Sequence, residues 1–207
     1  LKGLTIYAGF IDAYLTTGTN SSVVSTAMVQ PISSAASGIN FFGVPGQEKD
    51  PGLPGAGYEL SRINPEVRTA QTYAPNTRTL ETLRELGFTS GNVTPPRGIL
   101  RGTSALVVLS DESPNTTILK PDVFQHVVFE VGGGRGGDGA APSFPGSLMG
   151  VIAAVRQSFF DAQHYRLDHA DYAKKPTGRK RPAFNTSLEA LAPVLDKKVP
   201  VVFEPGT

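Results

Sequence analysis

The chain has 207 residues, a formal net charge of +1, 39% hydrophobic and 18% charged residues, a balance typical of folded globular chains and not of disordered ones. Near neutrality gives no general attraction to nucleic acid or to an anionic membrane, so neither is expected as a partner. The lack of cysteine excludes disulfides, thiol nucleophiles and thiolate metal sites, and 23 glycines with 17 prolines point to long irregular loops.

In chain order, Leu4–Ala13 (LTIYAGFIDA) is apolar and β-prone and is expected as a buried strand with the polar Asp12 near its end. From Thr16 to about Pro75 the chain is rich in Ser, Thr, Gly, Pro and Ala without a sustained period, which predicts a loop-dominated insertion. Asn76–Leu86 places Leu80, Leu83 and Leu86 three apart, with a capping residue in front and Gly87 behind, and is expected to be a short helix on a sheet. Phe88–Val93 follows as a second strand, closed by Pro95 and Pro96. Two apolar runs within Ile99–Glu130, Ala105–Leu109 and Val127–Val131, flank the turn-forming DESPNTT and predict a small β excursion.

Ser147 to about Tyr172 carries Leu148, Ile152, Val155, Phe159 and Ala162 at alternating offsets of four and three, the stripe of the longest helix. Thr186 with Glu189 matches a capping box, and Pro193 should shorten the helix that follows. Val199–Glu204 reads as a third strand. Strands alternating with helices imply an α/β fold with parallel strands. No apolar run approaches the roughly 18 to 20 residues that cross a bilayer, and the start lacks the sections of a signal peptide. A soluble chain is therefore expected, cytoplasmic or exported, and its start at Leu1, a few residues before a strand-like run, is what would be expected of a trimmed or processed product.

IYAGFIDAYLTTG (Ile6–Gly18) resembles the amidohydrolase superfamily signature PGFIDAHTHLG at the end of the first barrel strand. LRELGFTSGNVTPPRGILRGTSALV (Leu83–Val107) and PGSLMGVIAAVRQSFFDAQHY (Pro145–Tyr165) are similar to a bacterial, imidazolonepropionase-like or amidohydrolase-related branch. The resemblance implies a (β/α) TIM-type barrel. In the family two histidines one residue apart hold zinc or another divalent metal, which activates water against a carbon–nitrogen bond. On this sequence the histidine positions fall on Tyr14 and Thr16, Asp12 matches the preceding aspartate, and Ala8 replaces the usual proline. No metal or other cofactor is therefore expected on this chain.

The family's other ligands come from later strands, whereas this chain ends at Thr207, just after the third strand. A complete barrel needs about 250 residues. The resemblance thus implies a partial barrel, one incomplete domain over residues 1–207 with residues 16–75 inserted, as in a fragment or one piece of a split assembly. Self-association or a complementary barrel segment is the expected partner.

Barrel sites gather at the carboxyl ends of strands, so Asp12, Tyr14 and Thr16, with Arg97 and Arg101 from the loop after the second strand, are the candidate residues for a small-molecule ligand. His164 and His169 are five apart and do not share a helix face as a ligand pair would, and His126 reads as a structural or surface histidine. Gly132, Gly134 and Gly137 fit G-x-G-x-x-G, but two prolines follow before any helix, which favours a loop over a phosphate cradle. Lys174–Arg181 (KKPTGRKR) has no interleaved aromatic residue and reads as a solvated loop. Two functions follow from the resemblance: a parent hydrolase of non-peptide carbon–nitrogen bonds, or a non-catalytic pseudoenzyme that binds a ligand on the same scaffold.

Overall fold

The computed structural model describes residues 5, 7–16, 18, 56–60, 62–131 and 145–205. Its elements in order are β1 (Phe10–Leu15), α1 (Thr69–Thr72), α2 (Thr77–Glu85), β2 (Phe88–Val93), β3 (Leu100–Thr103), β4 (Ala105–Val108), α3 (Pro114–Thr117), β5 (Ile118–Lys120), β6 (Gln125–Val128), α4 (Leu148–Lys174), α5 (Thr186–Ala190), α6 (Ala192–Leu195) and β7 (Val201–Glu204). The strands form two open sheets, ordered β1-β2-β4-β5 and β3-β6-β7. Two pairs are parallel, β1 with β2 and β6 with β7, and the other strand pairs are antiparallel.

This arrangement corrects the expected single parallel sheet. The third expected strand, β7, does not lie beside the first two: β4 runs back along β2 and takes the edge a third parallel strand would have used. Nor is Ile99–Glu130 a small excursion. It supplies β3 to β6, and β3 and β4, separated only by Ser104, carry one run of chain from the second sheet into the first. Of the predicted first strand, Leu4 and Ile6 lie outside the described residues; the observed strand begins at Phe10 and runs on to Leu15, and Phe10 and Ile11 are exposed where a buried strand was expected.

Each sheet has its own apolar cluster. Leu80 of α2 packs with Leu15, Val93, Ala105, Val107 and Leu109 on the first sheet. Ile99, Leu100 and Val127 of the second sheet meet Val151, Ala154, Val155 and Ala162 of α4 and Leu191 before α6. The buried stripe of α4 is therefore rotated from the predicted one: Val151, Val155, Ser158, Ala162 and Tyr165 are buried, whereas Leu148 and Ile152 are each 49% exposed. The predicted insertion also takes part in the core, because Tyr58, Ile63 and Tyr73 are buried, α1 lies within it, and Ile63 and Arg68 bridge to Leu100 and Thr103.

The ends of α2 follow from its sequence. Asn76 caps the start, its side chain accepting from the Arg78 N–H, and Gly87 leaves at φ +92°, the left-handed conformation that suits glycine. A spacing of three drifts around a helix, so Leu80 is buried while Leu86 is exposed. The predicted capping box at Thr186 is corrected: Asn185 is the cap, its Oδ1 accepting from the Leu188 N–H at 3.0 Å. Pro193 acts as expected, with α5 ending before it and α6 starting around it.

Candidate functional site

The register of the parallel pairs gathers polar groups at one end. Tyr14 lies near the carboxyl end of β1, Glu204 ends β7, and Glu130 stands two residues beyond β6. Arg101 enters from β3, which runs antiparallel to β6 and so begins where β6 ends. Two of its nitrogens reach out: Nη1 is 3.2 Å from both the Tyr14 hydroxyl and Glu204 Oε2, and Nη2 is 3.3 Å from Glu130 Oε2. The Tyr14 hydroxyl in turn donates to Glu204 Oε2 at 2.7 Å. Arg101 and Glu204 are only 11% and 12% exposed, so their attraction is poorly screened by water. Burial, and the Glu204 carboxylate that accepts its hydrogen bond, push the Tyr14 phenol above its ordinary pKa.

The second oxygen of Glu204 holds a histidine. His126 in β6 is 1% exposed, with Nδ1 2.5 Å from Glu204 Oε1. Burial drives its pKa below the ordinary value; the carboxylate opposes this, the Arg101 guanidinium adds to it, and burial prevails. The ring is therefore neutral at physiological pH, with its proton on Nδ1, since a carboxylate oxygen only accepts. Nε2 is buried and has no hydrogen-bond partner among the described residues.

Of the candidates read from the sequence, the structure brings together Tyr14 and Arg101. Asp12 supports them through the backbone, its Oδ1 accepting from the Tyr14 N–H at 2.9 Å. Thr16 is exposed just past β1, and Arg97 is exposed in the loop between β2 and β3, outside this network. Glu204, Glu130 and His126 were not among those candidates. The strand ending in glutamate was visible as a strand, but its placement opposite β1 depends on the crossing of β3 and β4 between the sheets. His126, read as a structural or surface histidine, is a buried member of the cluster.

The remaining candidates lie apart. His164 pairs with Asp168 at 3.2 Å, while His169 packs on the Tyr165 ring at 4.2 Å between centroids, so the two have separate partners. Residues 175–181 of the basic run are exposed. Gly132, Gly134 and Gly137 lie outside the described residues. Arg101 places its guanidinium against Glu204, and no group of three or more His, Cys, Asp or Glu suited to a metal occurs among the described residues. No helix among them is long and apolar enough to cross a membrane.

No protein-family model and no curated protein matches the chain. Among solved structures it is similar to an amidohydrolase from Thermotoga maritima MSB8, with a TM-score of 0.58 and 17% identity over 95% of this chain and 44% of that one. The chain spans less than half the length of that protein, and the likeness is one of fold: a mixed α/β architecture shared with an amidohydrolase.

Proposed function

We propose that this chain is part of an amidohydrolase-type protein, of the imidazolonepropionase-like branch, whose parent hydrolyses a non-peptide carbon–nitrogen bond. One observation carries the reading: Tyr14, Arg101 and Glu204 converge at the carboxyl ends of β1 and β7, where barrel proteins place their sites. The role of these residues is to bind and orient. A substrate carbonyl or carboxylate entering at the strand ends would take a hydrogen bond from the Arg101 guanidinium, and from the Tyr14 hydroxyl only where it displaces Glu204 as the acceptor of that group's single proton. Glu204 holds both donors in place, and Asp12 fixes the backbone at Tyr14. Tyr14 and Thr16 fall where the resembled signature has its histidine pair, so no metal is assigned to this cluster. Elemental analysis of the purified chain should accordingly find no stoichiometric zinc, and one metal ion per chain would overturn that assignment.

The second reading is a pseudoenzyme that binds without turnover. It is favoured by the same contacts, because Arg101 and Tyr14 already satisfy each other and Glu204. The two readings separate in one experiment on the full natural protein with a panel of cyclic amides, imides and ureido compounds. Turnover that Arg101→Met lowers at least tenfold supports the hydrolase. Saturable binding without turnover, weakened by the same substitution, supports the pseudoenzyme. Neither turnover nor binding would refute a small-molecule site at this cluster.

A further inference from the structure

A second polar feature lies at the other end of the same strands. Gln125 begins β6 and pairs with Val201, whereas Glu204 pairs with Val128 three residues on, about 10 Å further along the strand. Gln125 and His126 are consecutive in the strand, so their side chains leave opposite faces of the sheet. Gln125 faces the side occupied by α5 and α6 and helps line a pocket of about 570 Å³ there. Much of the pocket wall is apolar, with Phe184, Pro193, Val194 and Val199 on it, and Phe184 is 61% exposed at the rim.

Gln125 is wholly buried, yet neither its amide oxygen nor its amide nitrogen has a hydrogen-bond partner among the described residues. Glu66, which also lines the pocket, has a buried Oε2 that lacks a partner among the described residues as well. Leaving such buried groups unpaired forfeits the hydrogen bonds they make to water, and a chain selected for stability alone would place an apolar side chain here. The nearby charges are not available as substitutes. Arg68 forms a two-pronged ion pair with Asp122, and Thr103 donates to Asp122 at 2.7 Å.

We propose that this pocket is a binding site for a small planar amide or cyclic amide, separate from the strand-end cluster. An amide edge offers an N–H beside a C=O, the complement of the Gln125 carboxamide, and a second N–H would satisfy Glu66. A flat apolar body would lie against Phe184, Val194 and Val199. Anions are disfavoured, because Glu66, Glu189 and Asp122 face the pocket with only Arg68 to balance them. The site needs no metal, and it does not depend on the function proposed for the cluster.

Benzamide and benzoate test this, having nearly the same shape and differing in charge and donors. Titration by calorimetry or ligand-observed NMR should show saturable binding of benzamide and at least tenfold weaker binding of benzoate. Gln125→Leu should weaken benzamide at least tenfold while the unliganded protein melts no earlier, since it removes an unpaired amide. Phe184→Ala, at an exposed position that folding does not need, should also weaken it. Equal binding of the two probes, no saturable binding, or retained affinity in Gln125→Leu would overturn the proposal. So would a Gln125→Leu protein that melts earlier or fails to fold, since its amide would then have a structural partner.

Discussion

The buried His126 makes the cluster sensitive to acid. Its pKa is depressed below the ordinary 6.5, with burial the main cause, so the unfolded chain takes up a proton at a pH where the folded one does not. Its contribution to stability is therefore complete above about pH 6.5 and is lost as the pH falls from there toward the folded pKa. Denaturant melts at pH 7.5 and 5.5 should show a lower midpoint at 5.5, and His126→Gln should flatten that difference. A midpoint that rises on acidification would mean the imidazole is charged in the fold. The depressed carboxyl of Asp122 acts in a separate window, below about 3.8: its burial is outweighed by hydrogen bonds from Arg68 and Thr103. Arg101 is the other critical side chain. Arg101→Met leaves Glu204 buried without its counter-charge and should cost on the order of 3 kcal/mol, read as a shift in denaturation midpoint. If His126→Gln is introduced as well, the two losses should not add, since both groups hold one carboxylate.

Within the second sheet, one glycine carries a backbone demand that the sequence alone conceals. Gly102 in β3 has φ +104°, and a Cβ there would stand 2.0 Å from the Val67 carbonyl oxygen. Gly102→Ala should destabilise by roughly 1–3 kcal/mol from the backbone conformation alone, with the clash added to it. A change below 0.5 kcal/mol (~) would show that the 66–68 segment moves aside at little cost. Caps give a finer test at α5. Asn185→Ala should lose about 1 kcal/mol, whereas Thr186→Ala should leave the melting point almost unchanged. Local signals of this kind were legible in the sequence where the chemistry is local: Asn76 and Gly87 bound α2, Pro193 divides α5 from α6, and Tyr14 stands at a strand end. What depends on pairing between distant segments was not. A run such as Ala105–Leu109 reads as a strand in any partnership, so nothing in it reveals that β4 would occupy the edge of β2 and send β7 to the other sheet. Glu204 and His126 went unread for that reason, being neighbours only through this exchange.

Taken whole, the molecule has strands open to new partners. Among the described residues, β1 pairs only with β2 and β7 only with β6, so each leaves one edge of hydrogen-bonding groups unpaired. Apolar side chains accompany both edges: Phe10 and Ile11 of β1 are 65% and 64% exposed, and Phe203 of β7 is 57% exposed although it stacks on Phe129. On α4, Met149 and Leu167 are exposed as well. Water gains nothing from such a surface, and pairing of an edge buries both its apolar groups and its backbone. We propose that the purified chain associates with itself or with a complementary barrel segment through these strands. Light scattering coupled to size exclusion should give a mass above 21.9 kDa that rises with concentration. Ile11→Lys, which sets a charge on the β1 edge, should shift the distribution toward the monomer without changing the midpoint of unfolding at low concentration. A compact monomer at every concentration would refute this association, and unchanged association in Ile11→Lys would place the contact away from β1, at β7 or α4.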